Sequence, residues 1–215
     1  MRYHYIHEKA YPRFNFYGTL LFSASSNNRG ERKVGLDYLS TLSDSTDKNV
    51  ILRDLMERYG NDVWNYAFFL TSRFDQADDI FQDVFIKVYR SMFSFRGESS
   101  VKTWLLAITR NVAKDHRKSA WARRVLLMAT IRRSETASST EKEVLSRMVS
   151  GDVWKAVMDL PEKLREVLLL YAHHQLTVPE IASMLNISQG TVKSRLHRAR
   201  AKVPLLLKEQ LSDSY

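Results

Sequence analysis

Between Asp79 and Met92 the apolar residues Ile80, Phe81, Val84, Phe85, Val88 and Met92 recur at spacings of three and four. That period is helical and gathers them on one stripe, whereas a strand would alternate at every second residue. Asp79, Gln82, Asp83, Lys87 and Arg90 fall on the opposite face. A similar pattern returns in the next segment, where Leu105, Ile108 and Val112 form the buried side and Thr103, Arg110, Asn111, Lys114 and Arg117 the other. Only 7 Gly and 4 Pro interrupt the chain of 215 residues, which with the long apolar-periodic stretches points away from a strand-and-turn architecture and predicts an all-α protein.

Composition divides the chain into four. Residues 1–48 hold five of the ten tyrosines and no lasting helical period, so an extension with little order is expected. Arg29-Gly30-Glu31-Arg32-Lys33 is what a purine-rich ribosome-binding sequence would encode if translated. Val34 or Leu36 would then mark a GTG or TTG start, and residues 1–33 would be missing from the native protein. A genuine variable extension is the other reading. Residues 49–118 are helical throughout and form a first small domain, broken by the loop 95–100. Residues 119–150 are basic first (Arg123, Arg124, Arg132, Arg133) and then rich in Ser and Thr, the composition of a linker able to lie along a surface. Residues 151–211 form a second helical domain.

The excess of 33 Lys+Arg over 24 Asp+Glu, a net charge of +9, favours a polyanionic partner. The absence of cysteine excludes disulfides and thiolate metal sites and is compatible with a reducing cytoplasm. The apolar stretch Phe14 to Ala24 is too short to span a bilayer and lacks a signal-peptide pattern, so a cytoplasmic protein without membrane insertion is expected.

The sharpest local motif runs from Thr177 to Leu196. Thr177 with Glu180 has the spacing of a capping box, and Pro179 in the first turn loses no helical bond. Ile181, Ala182 and Leu185 are the buried face, and Asn186 suits the left-handed cap that ends the helix. Ser188 then caps a second helix whose inward face is Val192, Leu196, Ala199 and Val203. Two helices joined by so short a turn, with a small residue where they meet, predict a helix-turn-helix. The outer face of the second carries Gln189, Lys193, Ser194, Arg195, His197, Arg198 and Lys202. From Ser188 to Lys202 there are five Lys/Arg and no acid, which suits the major groove.

In the first domain, Asp75, Asp78, Asp79 and Asp83 form an acidic run with no base between Arg73 and Lys87. From Arg96 to Arg133 the balance inverts to ten Lys/Arg against two acids. Phe93, Phe95 and Trp104 flank the loop, and aromatics beside cations are what unstacked single-stranded bases need. The expectation is charge segregation: an anionic helix for a protein neighbour, then cationic helices for DNA. The aspartates lack the further oxygen ligand and Gly turn of a cation site, so no metal and no cofactor is expected. Trp64, Phe68 and Phe69 are expected in the core. His173 and His174 are expected to point apart on a helix, as surface or loop residues.

These residues resemble the extracytoplasmic-function group of sigma factors. The resemblance rests on Ala77-Asp78-Asp79-Ile80-Phe81-Gln82-Asp83-Val84-Phe85-Ile86-Lys87-Val88-Tyr89, on Phe95-Arg96-Gly97-Glu98-Ser99 with Thr103-Trp104-Leu105, on Leu160 to Val167 and on Gly190 to Arg200. It covers roughly residues 50–118 and 152–204. It implies two all-helical domains joined by a linker, no catalysis, and core RNA polymerase, promoter DNA and an anti-sigma factor as partners. Asp79, Gln82, Asp83, Ile86, Lys87 and Arg90 would dock on the clamp helices of the polymerase's largest subunit, and the flap would be a second contact. Phe95, Arg96, Ser99, Trp104, Arg110, Asn111 and Lys114 would capture the −10 element, with Asn111 near a flipped base. Gln189, Thr191, Lys193, Ser194, Arg195, His197 and Arg198 would read the −35 element. The chain departs from the family in its first 48 residues and in Pro179. A ligand-controlled regulator would need a ligand or phosphoacceptor site in the first domain, and a nucleic-acid enzyme would need catalytic groups on the DNA side; neither is visible.

Overall fold

The computed structural model describes residues 47–128 and 152–212, by backbone alone at 121–128, 152 and 211. The tyrosine-rich extension up to residue 46, the alternative start and most of the basic linker lie outside the described residues. Within them every regular element is a helix, and the helices fall into two compact units.

The first unit holds α1 (Lys48–Thr71), α2 (Phe74–Ser91), a 3₁₀ turn (Met92–Ser94) and α3 (Val101–Met128). Asp47 opens α1 by accepting a hydrogen bond from the Asn49 backbone N–H at 2.9 Å. Ser72 closes it in the left-handed conformation (φ 56°), its N–H donating to the Phe68 carbonyl. The stripe on α2 packs inward as its period requires: Ile80, Val84, Phe85, Val88 and Met92 are buried, and Phe81 is half-buried. α2 packs against α1, whose buried side chains include Ile51, Leu55, Val63, Tyr66, Phe68 and Phe69, and against α3, whose buried side chains include Leu105, Leu106 and Val112. Each such large side chain contributes roughly 1.5–3 kcal/mol of transfer free energy, which is what holds the three helices together.

The loop before α3 turns at Gly97, whose φ of 69° suits a residue without Cβ. Ser100 then caps α3: its Oγ accepts from the Thr103 N–H at 3.0 Å and lies 2.8 Å from Thr103 Oγ1. Thr103 is therefore buried, a correction to its expected place on the outer side. The first turn of a helix has free N–H groups; the Ser100 hydroxyl satisfies one of them, and the Thr103 hydroxyl turns inward to meet it. Ile108, expected in the core, is half-buried. α3 continues to Met128, into the stretch that composition assigns to the linker.

The second unit holds α4 (Asp152–Met158), α5 (Glu162–Ala172), α6 (Val178–Leu185) and α7 (Gln189–Ser212). Trp154, Val157, Leu164, Val167, Leu168 and Leu170 form its core with Ile181, Leu185, Val192, Leu196, Ala199 and Val203. Arg165 spans the α4–α5 turn by donating to the Met158 carbonyl at 2.7 Å. Burial lowers its pKa, while Glu162 and Asp159 favour the charge. His174 corrects the expectation of surface histidines: it is 2% exposed, with its ring edge-on to His173 at 4.7 Å. The chain leaves α5 at Ala172 and turns through Gln175 (φ 60°), so helical geometry no longer splays the two rings.

Candidate nucleic-acid and polymerase interfaces

The α6–α7 connection forms as its residues dictate. Thr177 Oγ1 accepts from the Glu180 N–H, and Glu180 Oε2 accepts from the Thr177 N–H at 2.9 Å, a complete capping box. Asn186 ends α6 in the left-handed region (φ 55°, ψ 53°), and the Ile187 N–H donates to the Ala182 carbonyl at 3.0 Å. Ser188 starts α7, its Oγ accepting from the Thr191 N–H at 3.1 Å. The buried faces of both helices are the predicted ones.

With that side buried, Gln189, Lys193, Ser194, His197 and Arg198 are exposed together on the outer side of α7. Arg198 Nε donates back to the Ser194 carbonyl at 3.3 Å, which lays its guanidinium along the helix. Thr191 and Arg195 are half-buried, and the Thr191 hydroxyl is engaged with Ser188 at 2.9 Å. Arg200 stacks over the Tyr171 ring at 5.1 Å. The result is a cationic, hydrogen-bonding helix face on a rigid two-helix mount, the geometry of a major-groove reader.

In the first unit the loop and α3 bring Phe95 and Trp104 together, with ring centroids 5.1 Å apart and planes inclined by 51°. Both are half-buried. Arg96 and Asn111 are exposed; Ser99, Arg110 and Lys114 are half-buried. Trp104 and Asn111 are seven positions apart, about two turns, and share a side of α3.

On α2, Asp79, Gln82, Asp83, Ile86, Lys87 and Arg90 are all exposed and lie on one side. Asp78 is exposed as well and accepts from Trp64 Nε1 at 2.7 Å, so Trp64 sits at the core's edge while Phe68 and Phe69 are inside. Arg73 donates to both oxygens of Asp75, which holds that carboxyl below the usual range. Two contacts cross from α2 to α3: Asp83 Oδ2 to His116 Nε2 at 2.6 Å, and Lys87 Nζ to Asp115 Oδ2 at 3.5 Å. His116 follows Arg110 by six positions, about 120° around the helix. Sequence reasoning missed His116 because its partner is 33 residues away and the contact depends on how two helices cross. It also missed Lys48, whose ammonium lies over Phe93 at 4.9 Å and Tyr89 at 5.6 Å.

Helical elements throughout the described residues, with a helix-turn-helix in one unit and a basic helix beside aromatics in the other, define the class as a DNA-binding protein. Residues 55–123 match the model for sigma-70 region 2, and residues 150–203 that for sigma-70 region 4. RNA polymerase sigma factor YlaC of Bacillus subtilis (strain 168) is 32% identical over 159 residues, 71% of this chain and 89% of that protein. The ECF RNA polymerase sigma-E factor of Haemophilus influenzae is 34% identical over 159 residues, 69% of this chain and 83% of that protein. Among solved structures, sigma factor RpoE in complex with the anti-sigma factor NepR from Bartonella quintana superposes with a TM-score of 0.58 at 25% identity, covering 73% of this chain and 96% of that one. The chain belongs to the extracytoplasmic-function group of sigma-70 family RNA polymerase sigma factors, and its function is promoter-specific transcription initiation. No helix among the described residues is long and apolar enough to cross a membrane.

Proposed function

We propose a residue-level division of that function. The outer face of α2, Asp79, Gln82, Asp83, Ile86, Lys87 and Arg90, docks on the clamp helices of the polymerase's largest subunit. The loop 95–100 and α3 capture the −10 element: Phe95 and Trp104 form an apolar wall, Arg96, Ser99, Arg110 and Lys114 meet the backbone, and Asn111 faces a flipped base. Unstacking a base costs a few kcal/mol, which stacking on an aromatic wall offsets. Gln189, Lys193, Ser194, His197 and Arg198 read the −35 element, with Thr191 and Arg195 at its margin, and the second unit also meets the flap. The protein works in the cytoplasm, where the polymerase is, and contributes no catalytic group of its own. The similar RpoE of Bartonella quintana forms a complex with the anti-sigma factor NepR, which favours a similar inhibitor here, covering these same faces.

The observation that carries this division is the exposure, on one side of α2, of every residue assigned to polymerase, while the apolar stripe beneath is buried. The test is reconstitution of the full chain with core polymerase. Promoter-specific transcripts should appear only with both, and the chain alone should shift promoter DNA barely if at all. A strong shift without core would favour an ordinary regulator.

A further inference from the structure

The contact between Asp83 and His116 has a use that the docking face alone does not explain. Asp83 Oδ2 lies 2.6 Å from His116 Nε2, and a carboxylate can only accept, so Nε2 carries the hydrogen. The two partners differ in environment: the His116 side chain is 29% exposed and that of Asp83 51%. His116 follows the buried Val112 by one helical turn, which places its ring at the edge of the packed side of α3. Asp83 by contrast stands on an exposed helix face, where a lone aspartate would sample several rotamers. One turn further, Lys87 and Asp115 repeat the crossing with the charges exchanged, but at 3.5 Å and with both side chains more than half exposed. A solvated pair of that kind contributes little. The short bond to the packed imidazole is the one able to fix a geometry.

We infer that His116 is a positioning residue for polymerase docking: it holds the Asp83 carboxylate in one orientation while leaving it open to a donor on the polymerase. Binding then loses less side-chain freedom, which is the general gain from preorganisation. This rests on the assignment of Asp83 to the docking face.

The test measures the affinity of the full-length protein for core polymerase in four variants, each checked for wild-type helicity. His116→Phe keeps a ring of similar shape for packing but has no donor; it should weaken core binding roughly three- to tenfold. His116→Gln restores an N–H donor at similar reach and should bind within about twofold of wild type. Asp83→Ala should weaken binding, and adding His116→Phe to it should cost nothing more, because the pair acts as a unit. Wild-type or tighter binding by His116→Phe, equal weakness of His116→Gln, or an additive double variant would each overturn the positioning role. An Asp83→Ala variant that binds core normally would overturn the docking assignment itself, a result separable from the others.

Discussion

The Phe95 ring leans on the Trp104 indole, with centroids 5.1 Å apart, and so ties the loop before α3 to the helix that follows. The wall they form is apolar and partly open, and Arg96 beside it is exposed. Base–aromatic stacking is worth about 1–3 kcal/mol per base, so Phe95→Ala should slow promoter opening by about tenfold or more. Core affinity should stay unchanged. Stopped-flow fluorescence of a base analogue in the −10 element follows opening directly; equal opening rates would remove Phe95 from the DNA surface.

Gly60 is buried in the middle of α1, facing Phe81 of α2. A Cβ there would meet Phe81 Cε2 at 3.5 Å, an ordinary contact. Gly60→Ala should therefore stabilise the first unit by about 0.5–1 kcal/mol, since alanine removes backbone freedom from the unfolded chain without strain. Urea unfolding of the full chain reports it as a higher midpoint at unchanged slope. Gly60→Val adds branched carbon against the ring and should reverse the gain.

Asn186 turns the chain between α6 and α7 at φ 55°. Asn186→Gly should be tolerated, whereas Asn186→Val should cost about 1–2 kcal/mol because a β-branched side chain clashes in the left-handed region. The same variant should weaken −35 binding, since the turn sets the angle at which α7 is presented. Thermal unfolding and footprinting together check both effects; a valine variant as stable as wild type would mean that the turn rearranges freely.

The α2 stripe and the Thr177–Glu180 box depend on contacts within a few residues, so spacing alone reveals them. Thr103 escapes such a reading because period assigns a side but not the demand of free N–H groups at a helix start, which Ser100 answers while its hydroxyl pairs with that of Thr103. His174 escapes it because helical splay holds only as far as the residue where α5 ends. The Asp83–His116 bond is invisible in the sequence for a third reason: it needs the crossing of α2 over α3, a tertiary quantity with no trace in local spacing.

The Arg73–Asp75 pair makes a pH prediction. The hydrogen bonds from Arg73 are the main cause of the lowered Asp75 pKa. A carboxyl depressed in the folded state contributes stability at pH above its unfolded value, and that contribution is lost as pH falls through the folded value. The pair is largely exposed, so the effect on global stability should be small. In Arg73→Gln the Asp75 carboxyl should titrate at higher pH than in wild type, as read from its side-chain carbon shift by NMR. An unchanged midpoint would mean that the pair does not persist in solution.

Arg198 and Asn111 separate the two DNA tasks most cleanly. Both are exposed, on different units, and neither lies in the assigned polymerase face. Arg198 is one of the cations on the outer face of α7, steered along it by the bond to the Ser194 carbonyl. Arg198→Ala should weaken closed-complex formation at promoters with a −35 element by about 1–3 kcal/mol if the guanidinium meets a base edge. If it meets a phosphate, the loss should be uniform across sequences, and the salt slope should fall by about one. Asn111→Ala should leave closed-complex affinity and its salt slope untouched, because an uncharged amide releases no counterion. It should instead slow opening or shift its sequence preference at −10, where a flipped base loses its hydrogen-bond partner. Footprinting against salt concentration and opening kinetics on matched promoters distinguish these outcomes. If both variants only lost affinity for core polymerase, the cationic faces of α3 and α7 would be protein contacts, and the DNA assignment of each would fall together.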